Sequence, residues 1–287
     1  MKKIFSELPH PVDSSIIVKQ EITTKFVNTF HFHDGFEVTF IIRGQGKFYG
    51  GNQLLNFGEG DMYFFGPLFP HYFVNEKYSE NVNQMAHSIA VQFQEDFLGK
   101  ELYEKPEFGK IKDLLKFAQS ACLKLTISSN EIQERFVQLT KQQGVKKILL
   151  LLELLDYMAS LPKKSFNVLT IDAPKTIENA KGFSKLDAVY RYVLENFKQD
   201  VNSQKAAGLA CLNETAFCRY FKRQTKNTFS QFVNKVRVTH ATSLLQDKNR
   251  SIANICYECG FNNLSYFNRQ FRKFTNKSPF EYRKLYD

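Results

Sequence analysis

The sequence contains no tryptophan and only five cysteines among its 287 residues. Five cysteines without a regular spacing do not form a disulfide framework, and a chain of this size needs none for its stability. The first residues lack the apolar run of a secretory signal peptide. The most hydrophobic stretch, residues 148–155, contains Glu153 and is too short to cross a bilayer. We therefore expect a cytoplasmic protein without a membrane partner.

Basic residues are unevenly distributed along the chain. The formal net charge is +10, yet residues 184–287 contain 18 Lys or Arg and 8 Asp or Glu, whereas the first 183 residues contain 21 of each kind. A basic module joined to a neutral one is typical of proteins that bind a polyanion, most often nucleic acid. A solvated basic face would give the same count, so charge alone leaves both interpretations open.

The hydrophobic period changes along the chain and predicts the domain organisation. Between residues 30 and 93, short β-branched and aromatic runs alternate with glycine-containing turns, as in a small antiparallel sandwich or barrel. Residues 107–160 have a helical period, with one apolar stripe formed by Val145, Ile148, Leu149, Leu152, Leu155 and Met158. We predict an α+β protein with an N-terminal antiparallel β-barrel (1–106), a helical extension for packing or dimerisation (107–160), a linker (161–183) and an all-α domain (184–287).

The all-α domain contains an internal repeat, since residues 217–225 recur as residues 267–275. Each copy follows a short helix with small residues and a tight break. Because a small side chain lets two helices cross closely, this order predicts two helix-turn-helix motifs joined by a helix at 232–245. The predicted core side chains of the repeated helices are Ala216, Phe217, Tyr220 and Phe221 in the first copy and Tyr266, Phe267 and Phe271 in the second.

The opposite faces of the repeated helices carry polar and basic side chains. An arginine near the start of such a helix can bond guanine and an asparagine can bond adenine, while later basic residues reach phosphates. Helical spacing thus assigns Lys222, Arg223, Arg272 and Lys273 to DNA phosphates. The alternative is a helical array with solvated basic faces, which does not account for a repeat in matched register.

Cysteine spacing offers a zinc site as another interpretation of this domain. Cys256 and Cys259 have C-x2-C spacing, and Cys211 and Cys218 could supply two more ligands. Cys256, however, occupies the small-residue position of the second helix pair, and Cys259 precedes the turn glycine. The sequence also lacks a glycine-rich phosphate loop, a G-x-S-x-G motif and an H-E-x-x-H motif. We therefore predict no catalytic residue, no cofactor and no enzyme.

Four segments of the second copy identify a family. Ile252 with Ala253, Gly260 with Phe261, and residues 266–273 and 278–283 closely resemble the signature of the AraC/XylS family of bacterial transcription regulators. The resemblance covers about 100 residues at the C-terminal end and implies two recognition helices in successive major grooves. The base-contacting residues that it implies are Thr215, Cys218 and Arg219 in the first helix and Leu264, Ser265, Asn268 and Arg269 in the second.

The sequence departs from the family pattern at two positions. Asn276 stands where the family usually has glycine, but asparagine tolerates a left-handed backbone. Cys218 is a poor base reader, so the first copy is expected to read few bases.

The N-terminal segment contains a histidine pattern with two chemical interpretations. His31, His33 and Glu37 spell H-x-H-x3-E and are followed by Gly44, while residues 60–75, with His71, resemble a second cupin motif. These four side chains could bind a metal, line an effector pocket or simply pack. The family resemblance implies a cupin-like barrel, often without metal, in which these positions line the pocket. Phe40, Tyr63 and Phe73 are assigned to its aromatic wall.

The combined interpretation is a transcription regulator that binds double-stranded DNA, senses a small molecule and dimerises. The family resemblance favours activation of a nearby operon, with RNA polymerase as a partner, and a sugar is the first candidate effector. The competing hypothesis is a metal-dependent cupin enzyme using His31, His33, Glu37 and His71, which leaves the repeat and the basic charge unexplained. The sequence does not decide whether the barrel holds a metal.

Overall fold

The computed structural model describes residues 5–6, 15–24, 26, 31–50, 53–75, 85–119, 121–126, 130–170 and 186–286. The chain forms two compact units, one containing Met1–Gln53 and Phe57–Lys181 and the other containing Leu54–Asn56 and Gly182–Asp287. In the described part of the chain, no helix is both long enough and apolar enough to span a membrane.

In its described residues, the first unit consists of two antiparallel sheets, a short parallel pair of strands and three α-helices. Its strands are β1 (Phe5–Ser6), β2 (Ile16–Thr23), β3 (Phe32–His33), β4 (Phe36–Arg43), β5 (Gly46–Gly50), β6 (Gln53–Phe57), β7 (Asp61–Phe65), β8 (His71–Asn75), β9 (Ala86–Phe93), β10 (Ala121–Thr126) and β11 (Asn167–Thr170). Its α-helices are α1 (Gly109–Ala118), α2 (Asn130–Lys141) and α3 (Gly144–Ser160), and 3-10 turns lie at Lys100–Glu104, Pro106–Phe108 and Lys163–Ser165.

Two sheets dominate this unit. The larger has the strand order β11-β10-β7-β4-β9-β2, and the smaller has the order β6-β5-β8. The described strands form open sheets, so the predicted barrel is present as two layers rather than as a closed cylinder. Residues Asn167–Thr170, which the sequence placed in the linker, pair with β10 as β11. Four residues are too few for hydrophobic period to reveal a strand.

The side chains of β4 lie on two faces, one that packs with the helices and one on the opposite side of the sheet. Phe36, Val38 and Phe40 belong to a hydrophobic core shared with all three helices. The ring of Phe40 stacks on Phe136 of α2, with centroids 5.0 Å apart. Since successive side chains of a strand point to opposite faces, Glu37 and Thr39 lie on the other side of the sheet.

The buried stripe of α3 differs from the predicted one. Leu151, Leu154, Leu155 and Met158 are buried, whereas Val145 is 70% exposed and Leu149 is 52% exposed. Apolar residues occur on more than one side of this helix, so periodicity alone could not select the side that packs on α1 and α2. The helix therefore buries one stripe and leaves apolar side chains of another exposed.

The described C-terminal residues of the second unit, 186–286, contain helices and no strand. Its helices are α4 (Asp187–Asn196), α5 (Ser203–Leu209), α6 (Glu214–Thr225), α7 (Phe229–Leu244), α8 (Ile252–Glu258), α9 (Leu264–Thr275) and α10 (Pro279–Arg283), followed by a 3-10 turn at Lys284–Tyr286. The aromatic rings of Tyr190, Phe221 and Phe232 pack together around the first copy of the repeat. Ile255, Phe267 and Phe271 belong to the core of the second.

Both copies use the same helix-turn-helix design. The side chains of Asn213 and Asn263 cap α6 and α9 by accepting hydrogen bonds from Ala216 N and Tyr266 N, each 2.8 Å long. The helices end at Lys226 (φ 56°) and Asn276 (φ 59°), both in the left-handed conformation. These matching termini give the two helices equal lengths of 12 residues.

Candidate DNA-binding surface and effector pocket

The outward face of α6 is polar and exposed. Phe217 and Phe221 are fully buried, which fixes the rotation of the helix, whereas Ala216 and Tyr220 are only half-buried rather than core residues. The exposed side chains of this face are Glu214, Thr215, Cys218, Arg219, Lys222 and Arg223. The guanidinium of Arg223 lies over the ring of Tyr220, 5.7 Å from its centroid.

The corresponding face of α9 is formed by Leu264, Ser265, Asn268, Arg269, Arg272 and Lys273, all exposed. Tyr266 was predicted to be buried, but it is 37% exposed. Its ring lies beneath the guanidinium of Arg269 at 5.2 Å, and its hydroxyl accepts a hydrogen bond of 2.8 Å from Asn234 Nδ2 on α7. Because Tyr is amphipathic, periodicity could not distinguish this supporting position from a core position.

An ion pair connects the end of α9 to α10. Arg272 Nη2 donates hydrogen bonds to both carboxylate oxygens of Glu281, at 3.2 and 3.3 Å. Glu281 also accepts a hydrogen bond from Ser278 N, which completes a capping box. The hydrogen bonds from Ser278 and then from Arg272 lower the pKa of Glu281 to about 2. This carboxylate is therefore ionised at neutral pH and holds Arg272 at the end of the exposed face of α9.

The first unit contains a cavity of about 150 Å³ on the face of the large sheet opposite the helices. Of the predicted pocket residues, His31, Glu37, His71 and Phe73 line it. Polar side chains that the sequence did not single out also line it, namely Lys19, Glu21, Thr39, Ser88 and Gln92. The strand pairing of β2, β4 and β9 brings these side chains together, and single-strand period does not reveal such pairing.

Three other predicted pocket residues have different positions. Phe40 does not line the cavity, because it lies three residues from Glu37 on the same strand and so points into the helical core. Tyr63 is fully buried and packs behind the wall, with its ring centroid 5.2 Å from that of Phe73. Burial raises the pKa of Tyr63, and the nearby charge of Asp61 raises it further. His33 is fully buried beside Glu37.

Three histidines, His31, His33 and His71, lie around the carboxylate of Glu37. Glu37 is 4% exposed, with Oε2 3.3 Å from His33 Nε2 and Oε1 3.7 Å from His71 Nε2. The rings of His31 and His71 lie 4.3 Å apart. Burial opposes ionisation of Glu37, yet the interactions with His33 and His71 outweigh it and hold its pKa well below the ordinary value. The cluster is therefore a charged site inside the cavity wall.

Comparison with known proteins agrees with both units. The AraC-like ligand binding domain model matches residues 15–107, and the helix-turn-helix domain model matches residues 206–285. Together these matches cover more than half of the chain. The chain therefore belongs to the AraC family, with an N-terminal ligand-binding domain and a C-terminal helix-turn-helix domain.

Curated relatives are transcription regulators. The HTH-type transcriptional activator RhaR of Mannheimia succiniciproducens is 30% identical over 103 residues, 36% of this chain and 37% of the relative. The melibiose operon regulatory protein of Escherichia coli is 32% identical over 94 residues, 33% of this chain and 31% of the relative. The HTH-type transcriptional regulator YdeC of Bacillus subtilis is 23% identical over 261 residues, 89% of this chain and 86% of the relative. The first two alignments thus span only about a third of the length of those relatives.

Proposed function

We propose that the protein is a sequence-specific transcription regulator that binds double-stranded DNA through α6 and α9. The observation that carries the proposal is the matched pair of capped 12-residue helices, each with a buried aromatic face and an exposed polar face. Two such helices suit successive major grooves about 34–36 Å apart along the DNA axis. The net charge of the C-terminal domain supports a polyanionic partner.

The exposed residues fall into two proposed roles. Residues near the helix starts contact base edges, and basic residues further along contact phosphates. The base-contacting set is Thr215, Cys218, Arg219, Leu264, Ser265, Asn268 and Arg269, and the phosphate-contacting set is Lys222, Arg223, Arg272 and Lys273.

The cavity of the first unit is the proposed effector site. Its volume of about 150 Å³ matches that of cavities that hold a single six-membered ring. Its charged and polar lining favours a ligand with hydroxyl or acidic oxygens over a hydrocarbon. A sugar is therefore the first candidate class, which the relation to the melibiose operon regulatory protein supports, and the cavity volume favours a single ring.

Regulation requires the effector to bind unequally to the DNA-competent and DNA-incompetent states of the protein. We propose that the protein acts in the cytoplasm as a homodimer, formed through the helical segment 107–160, and activates transcription together with RNA polymerase. The exposed Val145 and Leu149 on α3 support this segment as the dimer contact. Activation is supported by the relation to RhaR.

The DNA proposal is tested by comparing Arg269→Ala with Lys273→Ala. Loss of a base-contacting arginine is expected to weaken specific binding by about 1–3 kcal/mol and to relax sequence preference. Loss of a phosphate contact is expected to weaken all sequences similarly and to lower the salt slope by about 1. Gel shift with a selected site and with random DNA, across a salt series, measures both effects.

The full-length wild type serves as the reference in that experiment. Equal affinity of the wild type for selected and random DNA at every salt concentration would contradict sequence-specific binding. An Arg269→Ala variant that loses the same affinity for both DNAs would assign Arg269 to phosphate contact instead.

A further inference from the structure

A second cavity, of about 480 Å³, lies in the first unit at one end of the larger sheet. Asp34 precedes β4, Pro67 follows β7 and Gln94 follows β9. Because β4 pairs with β7 and β9 in antiparallel fashion, these three positions lie at the same end of the sheet. The turn at Lys100–Glu104 and α1 form the other side. No described residue lines both this sheet-end cleft and the proposed effector cavity.

Two buried polar atoms of the sheet-end cleft lack a hydrogen-bond partner. Tyr103 is 7% exposed, and neither its hydroxyl nor Gln94 Nε2 makes a hydrogen bond within the part of the chain that the structure describes. Burial, and then the nearby charges of Glu95 and Asp96, raise the pKa of Tyr103 to about 12, so the hydroxyl keeps its proton at neutral pH. A buried donor costs free energy unless a bound group supplies an acceptor. Both atoms therefore favour a ligand with acceptor oxygens.

Charged side chains of both signs line the sheet-end cleft. Lys112 Nζ donates a hydrogen bond of 2.6 Å to Glu104 Oε1, so these two groups already form an ion pair. Among the residues that the structure describes, the exposed lining side chains without an ion pair are Lys100, Lys116, Glu95 and Asp96. The cleft thus offers two ammonium groups and two carboxylates to a bound molecule.

This mixture of charges disfavours a simple ion as the ligand. The metal-ligating side chains that the described residues bring together are those of His31, Glu37 and His71, which lie outside the sheet-end cleft. Lysines repel an isolated cation, and carboxylates repel an isolated anion such as phosphate. A molecule that carries one charged group of each sign can be attracted by both kinds of side chain.

We infer that the sheet-end cleft binds one free α-amino acid per chain, separately from the effector. The carboxylate of the amino acid accepts hydrogen bonds from Tyr103 and Gln94 and is attracted by the two unpaired lysines. Its ammonium group is attracted by Glu95 and Asp96. The inference concerns the first unit alone and does not depend on the proposed DNA binding.

The size and the remaining lining of the cleft agree with this class of ligand. A volume of about 480 Å³ lies within the range of about 300–1,000 Å³ that is usual for small-molecule sites. Pro67 and Leu115 also line the cleft and provide apolar surface for an amino-acid side chain. Free α-amino acids carry both charged groups on one carbon, so they fit a site of this volume with room for that side chain.

Thermal shift of the full-length protein with each of the twenty standard L-amino acids tests the inference, because a molecule that binds only the folded form raises its apparent stability. Isothermal titration calorimetry with the amino acid that gives the largest shift is expected to show one molecule per chain. The corresponding amine and carboxylic acid, which each lack one charged group, are expected to bind about 10-fold more weakly or worse.

Two variants with matched controls test the assigned contacts. Tyr103→Phe keeps the ring that packs on Phe108 and is expected to lower the affinity for the amino acid about 2–10-fold. Lys116→Gln is expected to lower it about 10-fold, since a charge-assisted contact is lost. Tyr157→Phe and Lys110→Gln make the same changes on α3 and α1 outside the cleft, and both are expected to bind as the wild type does.

A third variant, Lys19→Gln, separates the two cavities, because Lys19 lines only the proposed effector cavity. Binding that is lost in Lys19→Gln and unchanged in Lys116→Gln would place the amino acid in the effector cavity and overturn the inference. The absence of a thermal shift with every amino acid, or equal affinity for the carboxylic acid without the amino group, would overturn it as well. Gel shift of the same wild-type sample on selected DNA tests the proposed function independently, since a loss of either result leaves the other standing.

Discussion

The two helix-turn-helix copies have similar helix lengths and caps but differ in the side chains of their exposed faces. Both α6 and α9 begin after an asparagine cap and end at a left-handed residue. On α6, however, Cys218 stands beside Arg219, whereas on α9 Asn268 stands beside Arg269. The comparison teaches that the repeat preserves the residues that position a helix and varies those that would read DNA.

The turns of the two copies differ as well. Cys211 and Gly260 follow the first helix of each pair, both with positive φ, at 55° and 82°. A Cβ atom on Gly260 would lie 2.6 Å from the carbonyl oxygen of Phe197 and 2.9 Å from that of Lys198. The second turn therefore requires glycine for space as well as for conformation, whereas the first accommodates a side chain in the left-handed region.

Among the substitutions that test this difference between the two copies, Gly260→Ala is expected to have the largest effect on stability. Left-handed strain and overlap with two backbone oxygens are expected to destabilise the second copy by about 3 kcal/mol. Amide hydrogen exchange of α9 in the full-length protein measures the loss, because it reports local opening. Gly208→Ala is the control, since Gly208 lies in α5 with open space at its Cβ and is expected to gain up to about 1 kcal/mol. Equal protection of α9 in wild type and Gly260→Ala would show that the turn can rearrange.

Base reading is expected to be unequal between the two copies. Arg269 is supported by the ring of Tyr266 and has Asn268 as a neighbour, so Arg269→Ala should cost about 1–3 kcal/mol of specific binding. Arg219 has Cys218, a poor base reader, beside it. Arg219→Ala is therefore expected to cost less than about 1 kcal/mol of specific binding free energy. Competition gel shifts with each half of the selected site randomised separately measure the asymmetry. A larger loss for Arg219→Ala would reverse this ranking of the copies.

The smallest expected effect comes from Cys211→Gly, which makes the first turn resemble the second. Relief of the left-handed strain favours the folded state, while the greater freedom of glycine in the unfolded chain opposes it. We expect a net gain of about 0.5 kcal/mol in the stability of the first copy. Hydrogen exchange of α6, compared with that of the unchanged α9 in the same sample, measures it. Reduced protection of α6 would mean that the Cys211 side chain contributes packing of its own.

The sequence predicted the helical domain more accurately than the first unit, for a physical reason. In the repeat, residues such as Phe217 and Phe267 occur in register, so two independent copies indicate the same buried face. A single helix such as α3 offers no second copy, and the exposed Val145 and Leu149 were assigned to its buried stripe. Repetition thus supplies information that the hydrophobic period of one segment lacks.

In the sheets, the wrong assignment of Phe40 to the pocket could have been avoided from the sequence alone. Phe40 lies three positions after Glu37, an odd offset, so the period of a strand by itself places the two side chains on opposite faces. The positions of Lys19 and Gln92 at the cavity, by contrast, follow from the pairing of β2 with β9 and of β9 with β4. Such register depends on contacts between distant segments and could not be predicted from either strand by itself.

The ion pair between Arg272 and Glu281 has a consequence for how α9 would meet DNA. A guanidinium that already has a carboxylate partner has fewer rotamers to lose when a phosphate arrives. Contact with the phosphate then exchanges one anion for another and leaves the carboxylate of Glu281 nearby, so the pair neutralises little phosphate charge and releases few of the cations condensed on the DNA. The DNA affinity contributed by the C-terminal end of α9 should therefore fall less steeply with ionic strength than its number of basic residues suggests.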